Sequence, residues 1–258
     1  MSTALLTDHY ELTMVDAARK SGRGDRGAVF EVFARHLPPG RRYGVVAGTA
    51  RLLDAIAEFR FGPEELSFLK AHTIVSSDTL DWLESYRFSG TIRGYAEGEL
   101  YFPGSPILSV EGEFQEAVVL ETLILSVLNY DTAVASAASR MVQAADSRPL
   151  IEMGARRASE RSAVAAARAA YIAGFDATSN LEAGRSYGIP TRGTAAHSFT
   201  LVHDSEEEAF QAQIASMGTG TTLLIDTYDI EAGVATAVKV AGTKLGAVRI
   251  DSGDLPVV

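Results

Sequence analysis

The chain has 258 residues, 47% of them hydrophobic and 22% charged, and a mean hydropathy of +0.07. That composition has room for one large domain or two smaller ones and excludes disorder as the main state. A net charge of −10 and a pI near 5.0 exclude a general affinity for nucleic acid or anionic membrane, so any anionic ligand must be held by a local site. Zero cysteines exclude disulfides, thiolate metal centres and cysteine nucleophiles.

Met1–Tyr10 lacks the basic start and apolar core of a signal peptide, and the apolar run at Leu120–Leu128 is too short to span a bilayer. The expected protein is cytoplasmic, neither exported nor membrane-embedded. Tyr10–Lys20 places Leu12, Val15 and Ala18 at helical spacing, and Ala28–Arg35 alternates like a half-buried strand. Pro38, Pro39 and Gly40 close that strand. Val45–Phe59 reads as an amphipathic helix, and Pro63 opens another at its first turn. Strand-like pieces follow at Thr91–Glu97 and Ile107–Val110, separated by Gly98, Pro103, Gly104 and Pro106.

Gln115–Ala145 is one long helical stretch, apolar on most sides, which suits a connector packed between layers. Beyond it the texture becomes a regular alternation. Strands are predicted at Arg148–Ala155, Phe175–Ser179, Pro190–Ala195, Thr221–Asp226 and Ala247–Asp251, with helices at Ala158–Ala173, Leu181–Tyr187, Ser205–Met217 and Gly233–Leu245 between them. Five strands alternating with four helices imply a parallel sheet with crossover helices. The expected fold class is α/β: a small N-terminal α+β domain (residues 1–114), a connecting helical segment (115–147) and a partial barrel-like α/β domain (148–258). The last strand and its polar turn end at Leu255–Val258 with no covering helix, where an eight-unit barrel would need roughly three more units. Truncation at the C-terminus is favoured over an open sheet.

In parallel α/β folds, function collects where strands end. The polar residues fall at those places: Glu152 to Arg157, Thr178 to Asn180, Arg192 to Ser198, Asp226 to Asp229 and Arg249 to Asp254. Each alone has a structural reading. Thr178 to Asn180 reads as a helix N-cap, His197 as a hydrogen-bonded rim histidine, and Asp251 and Asp254 around Ser-Gly as an Asx turn. Together they suggest a substrate. Arginines suit phosphate, a hydroxyl-and-amide loop suits a small ligand, and a histidine with Asp226 or Asp229 beside it suits proton or phosphoryl chemistry. Two carboxylates three residues apart suit a sugar diol or Mg²⁺, so a phosphorylated sugar fits. Lysines are few here, and Lys239 and Lys244 lie inside a predicted helix, so a Schiff-base mechanism has no obvious nucleophile.

The segments Leu5–Met14 (LLTDHYELTM), Glu152–Ala158 (EMGARRA), Ala177–Gly184 (ATSNLEAG), Arg192–Phe199 (RGTAAHSF), Asp226–Asp229 (DTYD) and Arg249–Asp254 (RIDSGD) resemble the nicotinate phosphoribosyltransferase family in order and spacing. The nicotinamide-specific sister family is similar in layout. The resemblance implies transfer of a phosphoribosyl group from phosphoribosyl diphosphate to nicotinate, with ATP as co-substrate and Mg²⁺ required, in a homodimer with shared active sites. It implies that Tyr10 stacks on the pyridine of the partner subunit's site and that Arg156 holds the nicotinate carboxylate or the diphosphate region. Thr178 and Ser179 line the pyridine pocket, and Arg249, Asp251 and Asp254 position phosphoribosyl diphosphate, the two aspartates doubling as candidate Mg²⁺ ligands. His197 is implied as the residue ATP phosphorylates, with Asp226 as its orienting carboxylate. Met153 stands where an aromatic residue is expected on the pyridine face, which points to sulfur–aromatic contact instead. The alternatives are a nicotinamide phosphoribosyltransferase and an inactive, dimerising fragment of such an enzyme.

Overall fold

A computed structural model of the chain describes residues 3–256. It forms two compact units, Met1–Thr191 and Arg192–Val258. Among the described residues no helix is long and apolar enough to cross a membrane.

In the first unit, α1 (His9–Lys20) leads into β1 (Gly27–Phe33), followed by β2 (Gly44–Val45), α2 (Thr49–Glu58), α3 (Pro63–Ala71) and α4 (Ser77–Glu84). Then come β3 (Thr91–Gly94), β4 (Leu100–Tyr101), β5 (Pro106–Glu113), α5 (Phe114–Val118) and α6 (Glu121–Ala145). β5 is the centre of an antiparallel sheet ordered β1-β5-β3, and β2 pairs antiparallel with β4. Alternation in β1 turns Phe30 and Val32 onto a core that includes Leu12, Leu52, Phe59, Leu83, Tyr86, Leu108 and Leu120. Tyr86 is buried edge-on to Phe59 and Phe61, and its hydroxyl donates to the Glu116 carbonyl at 2.8 Å.

Two expectations for this part are corrected. The helix expected at Val45–Phe59 starts at Thr49, because Val45 pairs with Leu100 and Gly48 turns the chain with a left-handed φ of 95°. The single helix expected at Gln115–Ala145 is two, α5 and α6. Glu11 of α1 caps the second start from outside: its carboxylate accepts from the Thr122 amide at 3.0 Å and the Thr122 hydroxyl at 2.5 Å.

The unit closes with β6 (Ile151–Glu152), a 3₁₀ turn (Gly154–Arg157), α7 (Glu160–Ile172), β7 (Ala177–Thr178) and α8 (Leu181–Tyr187). β6 and β7 are parallel, with Glu152 opposite Thr178. The sequence divides the chain at 114 and 147, whereas the compact units divide after Thr191; α6 packs on α2 and β2 before it and on α7 after it.

The second unit holds α9 (His197–Leu201), α10 (Glu206–Met217), β8 (Thr222–Leu224), α11 (Ile230–Ala241) and β9 (Ala247–Arg249). β8 and β9 pair in parallel over a core of Phe210, Leu223, Ile225 and Ala237. Ser205 caps α10 by accepting from the Glu208 amide, and three glutamates fill the first turn where the helix dipole favours them. α11 lies so close to the end of β8 that a Cβ on Gly233 would stand 2.4 Å from the Ile225 carbonyl oxygen. The five strands expected in one sheet are therefore shorter and fewer. Pro190–Ala195 contributes only a parallel bridge from Thr191 to Thr178, since Pro190 has no N–H for a ladder. The class is nonetheless mixed α/β with parallel strand pairs in its C-terminal part, as the alternation implies.

Candidate active site

In the second unit, functional groups gather at the ends of β8 and β9. His197 opens α9, and its Nε2 lies 3.1 Å from Asp226 Oδ1. The Asp226 side chain is 2% exposed, and that of His197 is 33% exposed. Asp226 Oδ2 accepts three further hydrogen bonds: from the Asp251 amide at 2.7 Å, the Ser252 amide at 2.7 Å and the Ser252 hydroxyl at 2.6 Å. Burial pushes this carboxyl up, but those donors and the neighbouring His197 outweigh it and bring its pKa down to about 2. Asp226 is therefore an acceptor only, so the hydrogen bond to His197 requires the proton on Nε2; in a neutral imidazole that leaves the lone pair on Nδ1.

Asp229 is elsewhere. Its carboxylate caps α11, accepting from the Ala232 amide at 2.8 Å. Of the two carboxylates that the sequence offers as partners for His197, the structure selects Asp226. Arg249 ties the two loops together: it donates to Thr194 Oγ1 at 2.7 Å and pairs with the Asp251 carboxylate. Asp254 is exposed beyond the turn.

A second group belongs to the first unit. Thr178 is fully buried, donates through Oγ1 to Glu152 Oε2 at 2.7 Å and accepts from the Asn180 amide at 3.0 Å. Glu152 also accepts from the Gly154 amide, so one carboxylate of β6 fixes both β7 and the turn that follows β6. Asn180 caps α8 by accepting from Ala183, so the capping reading of this loop holds for Asn180, while Thr178 is spent on Glu152. Ser179 is partly buried beside it; Met153 is 42% exposed and Arg156 is exposed on the 3₁₀ turn. Tyr10, on α1, presents an exposed ring; a hydrogen bond to Glu121, with some burial and nearby carboxylates, pushes its phenol up to about 12, so it stays neutral.

Among the described residues no three His, Asp or Glu side chains gather as a metal site. The Asp251 carboxylate is engaged by Arg249.

Ser252, Thr194 and Glu152 are the partners that sequence reasoning passed over. All three stand inside segments singled out by motif, but their bonds join positions 26 to 55 residues apart, which no local pattern displays.

The nicotinate phosphoribosyltransferase N-terminal domain family matches residues 5–129. A Mycobacterium tuberculosis nicotinate phosphoribosyltransferase, pncB1, is 60% identical over 261 residues, covering 98% of this chain and 58% of that protein. The Bacillus subtilis nicotinate phosphoribosyltransferase is 36% identical, covering 98% of this chain and 53% of that protein. The crystal structure of human nicotinic acid phosphoribosyltransferase superposes with a TM-score of 0.86 at 28% identity, covering 96% of this chain and 61% of that one. The chain thus spans little more than half the length of the curated relatives it matches. Over the part of their length that it spans, the chain belongs to the nicotinate phosphoribosyltransferase family.

Proposed function

We propose that this chain carries catalytic machinery for transferring a phosphoribosyl group from phosphoribosyl diphosphate to nicotinate, giving nicotinate mononucleotide and diphosphate in NAD salvage. The observation that supports it best is the buried Asp226 carboxylate joining His197 to the turn at Asp251 and Ser252, in a chain 60% identical to a named enzyme of this activity.

The C1–O bond to diphosphate breaks as the pyridine nitrogen forms its bond to C1, through an oxocarbenium-like state. No side chain attacks carbon. The protein's work is to hold the nitrogen near C1 and to neutralise the leaving diphosphate. In this reading Arg249 and the Asp251 to Asp254 turn hold phosphoribosyl diphosphate. Arg156 meets the nicotinate carboxylate or the diphosphate, Thr178, Ser179 and Met153 border the pyridine, and Tyr10 serves the site of the partner subunit in a homodimer. Mg²⁺ enters with the diphosphate substrate, with Asp251 and Asp254 as candidate ligands beside the phosphates; among the described residues no three His, Asp or Glu side chains form a cage of their own.

ATP hydrolysis couples through His197. The neutral imidazole attacks the γ-phosphorus with the Nδ1 lone pair, the bond to ADP breaks, and Asp226 stabilises the charge that develops on the ring. The cysteine-free composition suits a cytoplasmic setting.

The test is chromatographic detection of nicotinate mononucleotide from the chain with nicotinate, phosphoribosyl diphosphate, Mg²⁺ and ATP, with nicotinamide as control. Product from nicotinate alone supports the proposal, and product from nicotinamide alone replaces it with the sister activity. Silence is followed by the same assay on a chain extended to the relatives' length; continued silence there rejects the proposal.

A further inference from the structure

We infer that Ser252 is a positioning residue: its hydroxyl locks Asp226 in the orientation that holds the His197 ring with Nε2 protonated and Nδ1 free. This rests on the reading of His197 given above.

The two oxygens of Asp226 are not equivalent. Oδ2 takes three donors and Oδ1 takes His197. A carboxylate oxygen offers about two lone-pair directions, so three donors saturate Oδ2 and oppose rotation of the group. Two of the three are backbone amides, which suffice to close a turn. The third, the Ser252 hydroxyl, makes the shortest of the bonds at 2.6 Å, and it reaches a carboxylate that is 2% exposed. A hydrogen bond between charged and neutral partners in such a place is strong and directional.

Locking Asp226 has a chemical consequence at a residue Ser252 does not touch. With Oδ1 fixed 3.1 Å from Nε2, the ring is held in one tautomer and one orientation. The Arg249 link between Thr194 and Asp251 joins the same two loops at a second point, so the loop before α9 and the turn after β9 are held in step. A carboxylate free to rotate would let the imidazole exchange tautomers, and part of the population would then present a protonated Nδ1.

The test uses the 258-residue chain labelled with ¹⁵N-histidine, with His197 assigned by His197→Asn and the other four histidines reporting on the fold. Wild type and Ser252→Thr, which keeps the hydroxyl, are expected to show His197 protonated at Nε2 alone. Ser252→Ala is expected to draw both His197 ring signals toward the averaged position and to lower phosphoryl incorporation from ATP about tenfold. Unmoved His197 signals in Ser252→Ala, with the other four unchanged, would overturn the inference whatever the activity does. Moved signals without incorporation in any protein, wild type included, would leave Ser252 in its role and remove the phosphohistidine. Should Ser252→Ala disturb the other histidines, Ser252→Cys, nearly isosteric and a weak donor, takes its place in the same comparison.

Discussion

Arg168 of α7 grips Glu97 through both guanidinium nitrogens, each 2.7 Å from a carboxylate oxygen, with the two side chains only 14% and 18% exposed. The same glutamate accepts from the Gly48 amide at 2.7 Å, and Arg168 lies over the Tyr187 ring of α8. One ion pair thus holds the helices that follow Arg156 and Ser179 against the start of α2. Breaking a buried pair leaves one charge without a partner, so Glu97→Gln is expected to cost about 3 kcal/mol. Urea unfolding monitored by circular dichroism checks this; a loss below ~1 kcal/mol would mean that solvent already screens the pair.

The depressed Asp226 carboxyl ties stability to pH. Its folded value of about 2 lies below the ordinary 3.8, so its contribution is fully present above pH 4 and is lost as pH falls toward 2. Glu97 is lowered too, against its burial, chiefly by Arg168, and acts in the same direction. Wild type should lose its urea midpoint more steeply than Asp226→Asn between pH 4 and about pH 2. Parallel curves would show that Asp226 titrates normally in the folded chain.

Asp226 and Asp229 stand three residues apart with different work to do. Asp229→Ala removes only the cap of α11 and is expected to cost about 1 kcal/mol while leaving phosphoryl incorporation intact. Asp226→Asn is expected to abolish that incorporation. Radiolabelled ATP with acid-lability analysis separates them, and equal losses in both would contradict the assignment.

Gly233→Ala tests how firmly α11 presses on the strand end before Asp226. The new Cβ would meet the Ile225 carbonyl oxygen at 2.4 Å, a backbone atom that cannot swing aside. The expected cost is about 1–3 kcal/mol of stability, with weaker phosphoryl incorporation as Asp226 is displaced. A neutral result by thermal melting would place more room there than the structure gives.

His197→Asn should remove acid-labile phosphate and ATP stimulation while sparing some ATP-independent synthesis. Steady-state rates with and without ATP decide it. Full stimulation in the variant would assign the coupling to another residue.

Much of this was legible in the residues. Ser205, Asn180 and Pro63 mark helix starts by local chemistry, and all three serve there. The residues offer Asp226 and Asp229 alike as partners for His197, and only the fold, which spends Asp229 on capping α11, separates them. Other features are not local. Val45 reads as part of a helix until its pairing with Leu100 of β4 is known, and the break between α5 and α6 is made by a glutamate 111 residues away in the chain. The ion pairs Arg168–Glu97 and Arg51–Asp131 likewise join residues 71 and 80 positions apart, and neither leaves a periodic trace. Strand ends are not legible because apolar runs continue past the last residue of the ladder, as at Ile225 after β8.

The hydroxyl–carboxylate bonds at the strand ends also bear on how so little sheet finds its alignment. β6 and β7 share two paired residues each, too short a ladder to distinguish one register from the next by backbone bonding. Glu152 opposite Thr178 supplies part of the missing information: a slip that set Ala177 before the carboxylate would leave it with no hydroxyl to meet. Ser252 against Asp226 does the same beyond β8 and β9. Alignment is thus checked by side-chain chemistry at the rim where ligands are expected, and a misaligned chain would lose its site and its stability at the same step.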